Sequence, residues 1–310
     1  MLVPVAPADS GSVDHDRPPA TDAAPTAPTS APTTTPTTPT RVPGSFTGVQ
    51  RLGGFVALTK PRIIELLLVT TLPTMVVAAR GWPAWTLMVA TLVGGTLAAG
   101  GANAINMYVD RDIDAVMHRT AQRPLVTGAV SPRAALIFAV GLEVVAFAEL
   151  WAAVNLLSAV LAVSATGFYV FVYTLWLKRS SRQNIVVGGA AGAVPVLVGW
   201  AAVRGTLGWA PLVLFALIFV WTPPHFWALA IRYRDDYRSV DVPMLPAVAT
   251  FERTARHIAA YSVLVLATSM LFGWTAGLGA IYFATASVVG VIFCARAAEL
   301  YRDRTEARAM

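Results

Sequence analysis

Charge is scarce in this chain. Only 13% of its 310 residues are Asp, Glu, Lys or Arg, against about 25% in an ordinary soluble domain, while 56% are hydrophobic. So few charges cannot cover a water-facing surface of this size. That excludes a water-soluble enzyme, a nucleic-acid-binding domain and a wholly disordered protein, despite the net charge of +6. There is one cysteine, Cys294, so neither an intrachain disulfide nor a cysteine metal cage can form. The start is not expected to act as a secretory leader: it has no basic run followed by an apolar one, and it carries Asp9, Asp14 and Asp16. Residues 1–45 instead form a tail rich in Pro, Thr and Ala, with little apolar surface to bury, and are expected to be disordered.

What the chain does have is long apolar runs. Eight are long enough to cross a bilayer as helices: Ile63–Ala79, Trp85–Tyr108, Ala134–Trp151, Val154–Leu177, Ile185–Val203, Trp209–Ile231, His257–Trp274 and Leu278–Ala295. The expected fold is all-α, a polytopic transmembrane bundle over 46–300, followed by a basic segment at 301–310. Small residues at Gly94–Gly101 and Gly188–Gly192 predict close helix approaches. If the tail side is inside, Arg80 and Arg204 are alone in the outer connections, and the remaining Lys and Arg beyond the tail fall on the inner side. The positive-inside rule then predicts a multi-pass protein of the cell membrane with a cytoplasmic N-terminus.

Beyond the tail, every aspartate except Asp303 falls in one of two clusters, at the inner ends of the second and sixth runs. Carboxylates near the membrane are costly and tend to be functional. In the first cluster Asn106, Asp110 and Asp114 recur every four residues, which stacks an amide and two carboxylates on one helix face. Such hard oxygen donors suit Mg²⁺, a metal that shares its shell with water and substrate phosphates. Arg119 and Arg123 follow and offer forked donors to phosphate. An Asp/Arg network that merely ends a helix is the plainer alternative. The second cluster, around Asp235, Asp236 and Asp241, is either a solvated loop or a second metal or pyrophosphate site. Lys60 and Arg62, with Arg232, could reach phosphate or be structural. His225 follows Pro223 and Pro224, which are expected to bend or break the sixth helix; it is either a haem ligand, a general base or a packing residue.

The Asn106-xxx-Asp110-xxx-Asp114 pattern resembles the first aspartate motif of the UbiA-type intramembrane prenyltransferases. Four segments in order are similar to the haem-farnesylating branch of that family: Leu58-Thr-Lys-Pro-Arg62, Asn106 through Leu125, Thr222-Pro-Pro-His-Phe-Trp227, and Tyr233 through Pro246. The resemblance spans residues 50–300. It implies transfer of a farnesyl group from farnesyl diphosphate to a vinyl group of haem B, with Mg²⁺ held by Asp110, Asp114, Asp235 and Asp236. It further implies diphosphate binding by Lys60, Arg62, Arg119, Arg123 and Arg232, with His225 on the haem side. The product would pass to a haem A synthase or terminal oxidase assembly partner. Nine spans are implied where eight are counted, so the chain is expected to stop before a ninth. The spacing from Asp236 to Asp241 departs from the family's second Asp-xxx-Asp motif. A quinone- or chlorophyll-type ring as acceptor, an ion channel or transporter, and an inactive haem-binding assembly factor are the competing readings.

Overall fold

The computed structural model describes residues 46–303, and these contain helices and no strand. The tail at 1–45 and residues 304–310 lie outside the described residues. The long helices are α1 Gly48–Thr59, α2 Pro61–Ala79, α3 Trp85–Val116, α4 Pro132–Ala153, α5 Leu156–Ser180, α6 Asn184–Arg204, α7 Trp209–Arg232, α8 Phe251–Thr275 and α9 Ala280–Asp303. Short helical turns at Pro124–Thr127, Arg234–Arg238 and Leu245–Val248 sit in the two long connections. The helices from α3 to α9 are long and apolar enough to span a membrane. The stretch from Gly48 to Ala79, bent by 47°, makes an eighth span if counted as one. The expected eight is thus seven helices plus a bent pair, and the protein is an integral membrane protein.

The reason for the bundle lies in which residues are small. Ala98, Ala135, Ala139, Ala146 and Ala159 are buried between helices, while Val140, Val144, Phe171, Trp176, Val288 and Ile292 face outward. Lipid replaces water outside, so association depends on close backbone approach rather than on hiding apolar surface. At the α2–α6 contact a Cβ on Gly199 would come within 2.8 Å of the Thr71 carbonyl oxygen. Gly199→Val should therefore force these backbones apart, costing about 1–3 kcal/mol. A lower thermal midpoint in detergent would register that cost, and an unchanged midpoint would contradict the packing.

Side-chain caps set the ends. Thr47 and Gln50 form a reciprocal capping box at α1. The Asn155 side chain accepts from Ser158 N at 2.8 Å and donates to Ala201 O at 2.9 Å, fastening the start of α5 to the end of α6.

Helix α3 continues past the apolar run that ends at Tyr108 to Val116 and carries Asp110, Asp112 and Asp114 on helical backbone, as the common face of Asn106, Asp110 and Asp114 requires. Two elements differ from their sequence expectation. Helix α7 is not broken at Pro223 and Pro224 but runs through both. Each proline removes one N–H donor, and helix–helix packing around two fully or nearly buried prolines holds the turn together. The fourth apolar run is not a uniform α-helix: Phe168–Leu177 is wound as a π-helix, a form no apolar periodicity reveals.

Candidate active site

The polar face of α3 is buried. Asp110 is 0% exposed and Asp114 is 2% exposed, and Asn106 is buried with them. The Asn106 amide donates to Asp110 Oδ2 at 2.7 Å and to Thr174 Oγ1 at 3.2 Å, while its Oδ1 accepts from Lys60 Nζ at 2.9 Å. Lys60 sits between α1 and α2 in the left-handed region, with φ 54°. That conformation is uncommon for a side-chain-bearing residue, and it delivers the ammonium to Asn106. Asn103 donates to Thr59 O at 3.0 Å and anchors the same corner.

The π-helical half of α5 supplies the opposite wall. Thr174 Oγ1 donates to Tyr169 O, five residues back, at 2.9 Å. The wider turn stacks Tyr169 on Tyr173, with ring centroids 5.4 Å apart. It also brings Lys178 onto Asp110 Oδ2 as an ion pair, with Arg179 Nη2 3.7 Å from Oδ1. Arg179 in addition forks onto both oxygens of Asp112 at 2.7 Å. On the other side Arg123 pairs with Asp114, and Thr120 Oγ1 donates to the Asp114 carbonyl at 2.9 Å.

These groups open onto a cavity of about 370 Å³. One end is polar and carries Lys60, Asn106, Asp114, Arg119, Arg123 and Lys178. The rest is mostly apolar, running along α3 past Ala102, Ala98 and Gly95 to Leu68, Val194 and Val198, with hydroxyls such as Thr91, Thr166 and Thr222 interspersed. From Asp114 to Thr91, also on its wall, is about 34 Å of helix at 1.5 Å per residue. The site therefore fits an amphiphile with an anionic head and a long apolar tail.

The residues expected from sequence separate into groups. Asn106, Asp114, Arg119, Arg123 and Lys60 line the cavity, and Asp110 lies buried directly behind Asn106. Asp236 stands at the mouth, where its Oδ2 accepts from Arg119 N at 3.4 Å. The Arg119 guanidinium lies over Tyr233 at 5.2 Å and Tyr237 at 6.0 Å, tying the two long connections together. Burial pushes the Tyr237 phenol above its usual pKa, so it stays protonated. Asp235 is different: its side chain is 84% exposed and pairs with Arg238 at 3.2 Å. Arg62 and Arg232 are likewise exposed and absent from the cavity wall, and Asp241 is exposed at φ 53°. His225 is half-buried and stacks on Trp221 at 4.4 Å, while its neighbours Thr222 and Phe226 line the cavity. Lys178, Arg179, Tyr169 and Tyr173 were not singled out by sequence; the Lys-Arg pair closing an apolar run was the available signal.

Among the described residues no group of three or more His, Cys, Asp or Glu could hold a metal by itself. Two carboxylates and an amide on one face are the donor set of an ion that completes its shell with phosphate oxygens and water. Asp110 Oδ1 is buried and lacks a hydrogen-bond partner among the described residues, with only the Arg179 guanidinium 3.7 Å away, so it keeps acceptor capacity for a cation. The residues fit Mg²⁺.

The UbiA prenyltransferase family model matches residues 67–310. A protoheme IX farnesyltransferase of Parafrankia sp. (strain EAN1pec) is 54% identical over 247 residues, covering 80% of this chain and 79% of the relative. One from Mycolicibacterium paratuberculosis is 54% identical over 265 residues, covering 84% of this chain and 82% of the relative. Among solved structures, a digeranylgeranylglyceryl phosphate synthase matches with TM-score 0.69 at 15% identity, over 84% of this chain and 91% of that one. A UbiA homolog from Archaeoglobus fulgidus bound to DMAPP and Mg²⁺ matches with TM-score 0.59 at 17% identity, over 80% of this chain and 85% of that one. At such identities the structures speak for the fold, while the sequence matches speak for descent. The buried Asn106–Asp110–Asp114 face, the amphiphile-shaped cavity and these matches agree: the chain belongs to the UbiA prenyltransferase family.

Proposed function

We propose that the protein transfers a farnesyl group from farnesyl diphosphate to a vinyl group of haem B, forming haem O and releasing diphosphate. One observation carries the prenyl-transfer half: a single cavity joins a cation- and carboxylate-lined end to a long apolar remainder. The haem half follows from relatives at 54% identity that are named for that reaction.

Asn106, Asp110 and Asp114 would hold Mg²⁺ with the diphosphate, and Asp236 at the mouth would assist from the second connection. When bound, the ion supplies Lewis-acid neutralisation of the leaving group's charge. The chain's own cations do the rest. Lys60, Arg119, Arg123 and Lys178 converge on the polar end, where they bind the diphosphate oxygens and stabilise the charge that grows as the C1–O bond breaks. Asp110 and Asp114 now rest against Lys178 and Arg123, so competition for these carboxylates frees both side chains to turn to the diphosphate. The apolar wall excludes water from the allylic cation. Arg62, Arg232 and Asp235, exposed as they are, act at most on the approach of the anion. His225, beside the cavity-lining Thr222 and Phe226, is the haem-side residue. The protein belongs in the cell membrane with its polar end cytoplasmic, where farnesyl diphosphate arrives, and a haem A synthase or a terminal oxidase assembly factor would take up the product.

The test is purified protein with farnesyl diphosphate, Mg²⁺ and either haem B or an aromatic acid, read by product mass. A haem adduct that disappears on chelation and returns with Mg²⁺ supports the proposal. Prenylation of the aromatic acid alone would transfer the reading to a quinone-type acceptor. Within this assay Lys178→Met should raise KM for farnesyl diphosphate by about 10–100-fold, the loss of one charge-assisted hydrogen bond of about 1.5–3 kcal/mol. An unchanged KM would remove Lys178 from the diphosphate site.

A further inference from the structure

Haem farnesylation adds water as well as a prenyl group, and the water must lose a proton. The groups at the polar end are committed to the diphosphate, and the cavity beyond them is mostly apolar. One carboxylate that the mechanism above does not use lies against that apolar region. Glu143, in the middle of α4, accepts a hydrogen bond from Thr166 Oγ1 at 3.1 Å. Thr166 lines the cavity on α5, three residues before Tyr169, and Ala102 lines it from α3. Ala102 is one helix turn from Asn106, about 6 Å along α3. With Gly101 and Thr166 both against Glu143, the Thr166 hydroxyl lies about one helix turn from Asn106, where a diphosphate seated at the polar end would leave its first prenyl carbons.

The room for Glu143 is built into α3. Gly101 faces it, and a Cβ there would lie 2.9 Å from Glu143 Cγ and 3.0 Å from Ala139 O. The other carboxylate oxygen, Oε2, is buried without a hydrogen-bond partner among the described residues. Glu143 forms no ion pair among the described residues. The groups that the neighbouring helices set against it include Gly101 and the Ala102 backbone from α3 and Thr166 from α5, none of them titratable. Glu149, the next carboxylate on α4, lies against Gly94 instead, about two helix turns further along. A carboxylate inside a membrane span without a cation is costly to keep, and such residues mark proton routes.

We propose that Glu143, acting through the Thr166 hydroxyl, accepts the proton of the water that adds to the acceptor's vinyl group. This rests on the haem-farnesylating reading above. The C1–O bond of farnesyl diphosphate breaks and diphosphate leaves with the electron pair. The vinyl π pair forms the new bond from its terminal carbon to C1, leaving a cation on the carbon attached to the porphyrin. A water lone pair bonds to that carbon. The water's proton passes to Thr166 Oγ1 as the Thr166 proton passes to Glu143. The product is the hydroxylated farnesyl side chain, and Glu143 returns its proton to solvent between turnovers. Without the acceptor, the cation loses a proton from its neighbouring CH₂ to diphosphate, giving an alkene that lacks the elements of water.

The experiment compares wild type, Glu143→Gln, Glu143→Asp and Thr166→Val with farnesyl diphosphate, Mg²⁺ and haem B. Product mass and the pH dependence of rate are the readouts. Glu143→Gln keeps the shape and the contact to Thr166 but cannot take a proton. Hydroxylated product should fall by about 100-fold, the scale of lost general-base assistance, with the dehydrated alkene accumulating. The low-pH limb of the rate profile should vanish in this variant, and Glu143→Asp should recover part of the hydroxylated product. Thr166→Val should repeat the Glu143→Gln product pattern, and it decides the matter if Glu143→Gln fails to fold. Hydroxylated product at the wild-type rate from either folded variant overturns the proposal. A wild type that makes no haem adduct at all instead overturns the haem reading, and is seen without any variant.

Discussion

Asp110→Asn should lower prenyl transfer by about 10³-fold or more while leaving the bundle folded. Asp110 is fully buried, bridges Asn106 and Lys178, and keeps one oxygen without a hydrogen-bond partner among the described residues. An amide has the same outline but neither the charge nor the second acceptor oxygen. Loss of a Lewis acid's hold on the leaving group removes several kcal/mol of transition-state stabilisation, and ~4 kcal/mol corresponds to ~10³ in rate. The fold should survive because Lys178, left without its partner, lies at the cavity and can be hydrated there. Steady-state rates beside a thermal melt measure both halves. Full turnover in Asp110→Asn combined with Asp114→Asn would remove the acidic face from the chemistry.

Gly192→Phe should have an effect of similar size by a different route. Gly192 lines the cavity on α6, and a Cβ added there meets nothing within 4 Å, so the ring would fill open cavity rather than strain the bundle. Counted from Asn184, Gly192 lies about 12 Å along its helix, level with the tail rather than the head. Each CH₂ kept from burial forfeits about 0.8 kcal/mol, so displacing one five-carbon isoprene unit costs ~4 kcal/mol, ~10³-fold in binding. Farnesyl diphosphate should lose that affinity while dimethylallyl diphosphate keeps most of its own, as competition binding would report. Equal losses for both would mean that the tail does not run past Gly192. The neighbouring Gly189 cannot serve for this test, because a Cβ there would lie 2.9 Å from Thr222 Cβ on α7.

The parts of this site legible in sequence are those carried by a regular period. Asn106, Asp110 and Asp114 recur at four-residue intervals, so their common face follows from α-helical geometry alone, and α3 extends far enough to present it. The cations of the first connection, Arg119 and Arg123, were readable because they follow that face directly. Lys178 and Arg179 were not, because they reach Asp110 only through the π-helical turn from Phe168 to Leu177, whose apolar residues give no sign of their winding. The second acidic cluster shows the opposite limit. The resemblance implied both Asp235 and Asp236 as metal ligands, whereas the turn after α7 directs Asp236 to Arg119 and leaves Asp235 to Arg238 and solvent. Pro223 and Pro224 predicted a broken α7, but packing maintains the helix through them. Glu143 was not singled out by sequence, where it is one of two glutamates, with Glu149, inside the apolar run Ala134–Trp151; its hydrogen bond to Thr166 and the gap that Gly101 leaves for it appear only in the fold.

If the inner face of α3 seats the metal and diphosphate, the structure with farnesyl thiodiphosphate and Mn²⁺ in place of Mg²⁺ will show it, the metal being located by its anomalous signal. The metal should be bonded at about 2.1 Å to oxygens of Asp110 and Asp114, with the thiodiphosphate within reach of Lys60, Arg123 and Lys178. Metal found only at the Asp235–Asp241 turn, with the α3 carboxylates still closed on Lys178 and Arg123, would contradict it.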